Sequence, residues 1–140
     1  MGMNLRYSPL EWNSQDSQLE FDGRDCQPDE FVLNVQMTDV STSGSYWVVS
    51  PYAAKIKKIY SVLRGAIATA NAGITVEIGG TAVTGAGITI AYSGSAAGDV
   101  DSSTPTALNT VAAGQAIEII TNGASTNAII VNFTLVMQRT

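Results

Sequence analysis

The sequence predicts an all-β fold, an antiparallel β-sandwich or jelly-roll with an extended N-terminal arm. Three observations predict it. Apolar and polar residues alternate with a period of two, most clearly at Phe31, Leu33, Val35 and Met37 and again at Ile129, Val131, Phe133, Leu135 and Met137. Clusters of glycine, serine, aspartate and asparagine cut the chain at short intervals, and no segment carries a dependable helical pattern. The acid is concentrated at the front: residues 1–39 hold eight acidic and two basic groups, a net −6, while residues 40–140 hold four acidic and five basic groups, a net +1.

Residues 1–29 are read as the arm. They are polar and aperiodic, with isolated large apolar residues at Tyr7, Leu10, Trp12, Leu19 and Phe21. Such a segment cannot bury enough apolar surface alone to offset its ordering entropy. Those five side chains are the candidate anchors of an arm that orders on a partner.

The β-domain is expected over residues 30–140. A half-buried strand covers Phe31 to Met37, with Asp39 to Ser45 a turn cluster. A short strand follows at Tyr46–Val49, closed by Ser50-Pro51, because proline cannot donate to a ladder. Ala54 to Gly65 is ambiguous. Ile56, Ile59, Tyr60 and Leu63 fit a helical stripe, whereas Ile56, Tyr60 and Val62 share a strand face. Its β-branched residues favour a strand.

Ile74, Val76 and Ile78 alternate with Thr75 and Glu77. Gly79-Gly80 then permits the positive φ angles of a tight hairpin into Thr81–Thr84. Gly85-Ala86-Gly87 turns the chain into a strand at Ile88–Tyr92, and Ser93 to Pro105 reads as a long loop of small residues. Strands are expected at Ala116–Thr121 and within Ala128–Gln138, separated by the Asn122-Gly123 turn. The predicted core comprises Phe31, Leu33, Val35, Val131, Phe133 and Leu135.

Composition narrows the function. The chain has 140 residues, 14% of them charged, against about 25% in an average soluble domain. A surface so rich in small uncharged residues suits a protein partly covered by partners. There is no histidine, which removes the commonest general base and neutral metal ligand. The lone Cys26 cannot form an intramolecular disulfide or a cysteine zinc site. A net charge of −5 argues against a nucleic-acid partner. Met1 to Trp12 lacks an apolar signal-peptide core, and no run approaches a membrane span, so neither secretion nor a membrane partner is expected.

Chemical motifs are incomplete. Asp99-Val100-Asp101-Ser102-Ser103 resembles the start of a calcium loop without its glycine and distal glutamate. Glu77 and Glu118 could form a glycosidase pair, yet each sits opposite the apolar face of its strand, where a charge meets solvent or a neighbouring subunit. The glycine pairs lie between strands and complete no phosphate fingerprint. No catalytic residue, cofactor, metal or small-molecule substrate is therefore expected. Lys55, Lys57, Lys58 and Arg64 hold four of the seven basic groups. They are read either as a lysine-guarded strand edge or as an electrostatic contact to an acidic surface, another copy's arm included.

The stretches IYSVLRGAI, EIGGTAV, and GSAAGDVD followed by NTVAAGQAIEI resemble small tailed-bacteriophage head proteins, the capsid cement or decoration proteins. The similarity spans residues 31–138. It implies a jelly-roll-like domain, a homotrimer at or near local threefold positions outside the shell, and an arm that clamps neighbouring major capsid proteins. It implies no catalytic residues, and localisation on the virion surface after synthesis in the host cytoplasm. KIKK at Lys55–Lys58 departs from the expected pattern. The competing reading is a receptor- or carbohydrate-binding domain of a tail or fibre, for which Tyr46, Trp47, Tyr52, Tyr60 and Tyr92 could supply an aromatic platform.

Overall fold

The computed structural model describes Leu10–Asn13, Gln18–Phe21, Arg24–Asp25 and residues 29–140. Within the segment read as the arm, β1 (Leu10–Asn13), β2 (Gln18–Phe21) and β3 (Arg24–Asp25) form an antiparallel sheet of their own, ordered β1-β2-β3. The remaining strands build a β-sandwich of two antiparallel sheets. These strands are β4 (Glu30–Met37), β5 (Gly44–Val49), β6 (Ala54–Leu63), β7 (Ala72–Ile78), β8 (Thr81–Ala82), β9 (Ile88–Ile90), β10 (Val100–Ser103), β11 (Thr110–Val111), β12 (Ala116–Thr121) and β13 (Val131–Arg139).

The first sheet of the sandwich runs β10-β6-β13-β4, with β11 beside β10 on the same edge of β6. The second runs β5-β12-β7-β8, with β9 beside β8 on the same edge of β7. The alternation read from the sequence is the alternation observed, because one face of each sheet is buried and a one-residue slip would expose it. Ile56, Ile59, Leu63, Val131, Phe133, Leu135 and Met137 of the first sheet meet Ile74, Val76, Ile78, Ile117 and Ile119 of the second. Phe31, Leu33 and Val35 are only half-buried against this core, since β4 is an edge strand with a neighbour on one side.

The ambiguous segment is a strand, and its pairing explains the ambiguity. Val136 pairs with Lys58 and Met137 with Ile56, so Lys57 is an extra residue, a β-bulge. The bulge shifts the phase by one. Ile56 and Ile59 both face inward at a spacing of three, which imitates a helical stripe. Tyr60 and Val62, expected to share the face of Ile56, instead point outward, and Ser61 and Leu63 take the inner positions.

Two strands of the sandwich went unread, as did the three short strands within the segment read as an arm. β10 lies inside the stretch expected to be a loop, because three of its four residues (VDSS) are polar and its one apolar residue, Val100, is exposed; pairing with β6 makes it a strand. β11 is too short to carry a period. The Gly79-Gly80 hairpin has φ of +59° and +76°, the paired positive angles of a two-residue turn.

Candidate functional site

Among the described residues, the two outer faces of the sandwich differ in charge. On the first sheet, the bulge places Lys57 and Lys58 together on the outer side with Lys55, and the Lys58 ammonium lies 5.1 Å from the centre of the Tyr60 ring. Register sets Lys58 beside Val136 and Val136 beside Val32, which is 55% exposed. Further along the same face, the Gln36 amide donates to Asn132 Oδ1 at 3.1 Å and the Thr134 hydroxyl donates to Asn34 Oδ1 at 3.0 Å. Glu30 marks the far corner, separated from Lys55 by Gln138.

The three lysines thus lie on β6, which pairs with β13 on one side and with β10 and β11 on the other, and not on an edge strand. Of the four cations singled out in the sequence, three gather here. Arg64 lies six residues beyond Lys58, about 20 Å along the strand direction. Its side chain is exposed, while its backbone N–H bonds to the Ile130 carbonyl at 3.0 Å.

The outer face of the second sheet is acidic and apolar. Glu118 on β12 stands directly between Trp47 on β5 and Glu77 on β7. Val49 pairs with Ala116 one row away, and Ile120 lies between Ser45 and Thr75 on the other side. Trp47 is 60% exposed and Val49 53%. Two glutamates on adjacent strands of an open face do not flank a cleft in which a sugar could lie. The sequence signal for the pair was present, one glutamate opposite each strand's apolar face, but the register that makes them neighbours depends on a pairing across 41 positions.

The other motifs have structural duties. Asp99 Oδ2 accepts the Ala96 N–H at 2.7 Å, closing a turn. Asp101 points to the inner side of β10 in register with Ser61, and burial, followed by the Asp99 charge, raises its pKa. Among the described residues no group of three or more His, Cys, Asp or Glu side chains could hold a metal ion. Among the same residues no helix is long and apolar enough to cross a membrane.

The five aromatic residues of the competing reading are dispersed. Trp47 and Tyr60 lie on opposite outer faces. The Tyr46 hydroxyl lies 3.2 Å from Thr38 Oγ1, tying the β4–β5 turn. Tyr52 packs edge-on against Phe31 at 5.4 Å, and the Arg139 guanidinium lies 4.1 Å from its ring centre. Tyr92 stands beyond β9, its N–H bonded to Asn71 Oδ1.

Of the arm's candidate anchors, Leu10 pairs in register with Phe21, and Trp12 with Leu19. Their side chains, and Tyr7 and Cys26 altogether, lie outside the described residues. Compared with known proteins, the chain matches no protein-family model and no curated protein.

Proposed function

We propose that this chain is a structural virion protein, a cement or decoration protein bound to the outside of a tailed-bacteriophage head. In this reading it sits as a homotrimer at or near local threefold positions, in jelly-roll form, and reinforces contacts between major capsid proteins. The resemblance over residues 31–138 carries the reading. Chemistry supports it: Val32, Trp47 and Val49 stand exposed on the outer faces, where protein contacts would cover them.

The arm supplies the mechanism. Large side chains such as Tyr7, Leu10, Trp12, Leu19 and Phe21 contribute roughly 1.5–3 kcal/mol each when buried. Ordering each residue costs about 1–2 kcal/mol, so one arm binds weakly. Three arms on a trimer gain through effective concentration, by about 10²–10⁴ in avidity, which favours an assembled shell over free capsid subunits.

The test mixes the full chain, and a chain starting at Asp29, with shells stripped of cement. The full chain is expected to bind and to raise the shell's resistance to heat, and the shortened chain to lose most of both. No binding by the full chain refutes the reading. The competing carbohydrate reading predicts a specific hit on a glycan array, which the dispersed aromatic residues do not favour.

A further inference from the structure

We propose that copies of this chain associate head to tail, the Trp47–Glu118–Glu77 face of one copy packing on the Lys55–Lys58–Val136–Val32 face of the next. The two faces are complementary in both respects that matter. One carries two carboxylates beside exposed Trp47 and Val49, and the other carries three ammonium groups beside Tyr60, Val136 and Val32. They are the outer sides of opposite sheets, so they point away from each other and a single chain cannot bring them together. The glutamate pair also does nothing for the isolated fold, since like charges directly opposite across strands repel. A cationic partner face turns that repulsion into attraction and aligns the apolar residues between the charges. A contact of this kind is heterologous: each copy uses two different surfaces, and because these point away from each other, repetition stacks copies in an open series and does not close a trimer.

The contact is separate from the trimer of the proposed function and independent of the shell. The experiment therefore uses the purified full chain alone. Sedimentation equilibrium is run on five proteins: the native chain, Glu77→Lys/Glu118→Lys, Lys55→Glu/Lys58→Glu, the chain carrying all four changes, and Trp47→Ala. Circular dichroism first confirms that each retains the native β spectrum. The native chain is expected to be oligomeric. Each single-face reversal should raise its dissociation constant ~100-fold, because like charges then meet across the interface.

The fourfold variant keeps the native net charge and reverses both faces together, so it should return to within about tenfold of native affinity. Trp47→Ala, which removes an exposed side chain and leaves the core intact, should weaken association by about 30-fold or more, as central tryptophans do. A native monomer at about 100 μM overturns the inference and leaves shell binding a separate question. An oligomer indifferent to the reversals, or a fourfold variant no better than either half, overturns it equally and assigns association to other surfaces. If a reversed chain loses the β spectrum, Trp47→Ala decides alone: unchanged association overturns the inference.

Discussion

Glu118 stands directly opposite Glu77 on the adjacent strand, both on the outer side of the second sheet. A directly opposed pair of like charges costs a sheet roughly 0.2–1 kcal/mol, and an opposed pair of unlike charges returns a similar amount. Glu77→Lys should therefore stabilise the isolated monomer by up to about 1 kcal/mol. Urea unfolding at a concentration low enough to keep the chain monomeric checks it. A destabilised Glu77→Lys monomer would mean that the carboxylates are not in the register described.

Phe133 and Phe31 illustrate how burial follows sheet position. Phe133 sits on central β13 and is 1% exposed, whereas Phe31 sits on edge strand β4 and is half-buried. Phe133→Ala should cost about 3–5 kcal/mol through lost transfer energy and the cavity left behind. Phe31→Ala should cost about 1–2 kcal/mol, since less of its surface leaves water. Denaturant midpoints with unchanged slopes measure both, and equal losses would contradict the edge position of β4.

The same two residues mark what could be read from sequence. Both belong to clean alternations, so their strands and inward faces were legible, but which strand is central depends on pairing that no local pattern encodes. The Lys57 bulge is another limit. It changes the phase of the pattern within one strand, so Tyr60, which simple alternation groups with Ile56, faces out beside Lys58. β10 was illegible for a third reason: a short strand at a sheet margin whose only apolar residue, Val100, faces outward has no apolar face to announce it. For the candidate surfaces, the lysine cluster was visible as a run along the chain. The Glu77–Glu118 pair was visible as one glutamate opposite the apolar face of each strand, but its direct register was not, because the two meet only after the sheet forms.

Gly123 and Gly80 separate two costs of a glycine substitution. Both have positive φ, +65° and +76°. A β-carbon on Gly80 meets nothing within 4 Å, while one on Gly123 would run into the backbone nitrogen of Ser43 and lie 3.0 Å from the Thr42 carbonyl carbon. Gly80→Ala should therefore cost only the conformational term of about 1–2 kcal/mol. Gly123→Ala should cost more than Gly80→Ala, because backbone atoms cannot swing aside, and it should loosen the turn in which Gly123 N–H bonds to Thr121 Oγ1 and Thr121 bonds to the Val40 carbonyl. Equal effects in thermal unfolding would show that the β4–β5 turn yields freely.

Asp101 and Asp39 should respond to acid in opposite directions. Burial, and secondarily the charge of Asp99, raise the Asp101 pKa above its ordinary value of 3.8. The folded state then holds that proton more tightly than the unfolded chain does. The associated stability is fully present below 3.8 and is lost as pH rises through the raised folded value. Asp39 is lowered instead, chiefly by the hydroxyl and backbone N–H of Ser41 and then by the Thr42 hydroxyl, with bonds of 2.6, 2.8 and 2.8 Å. Its contribution is present above 3.8 and is lost as pH falls through the lowered folded value. Asp101→Asn should therefore gain stability relative to the native chain as pH rises from about 4 to 7, whereas Asp39→Asn should lose most of its difference from native in strong acid. Unfolding free energies across pH 2 to 7 read both curves. If Asp101→Asn tracks the native chain at every pH, Asp101 is solvated and the inner placement of its carboxylate is wrong.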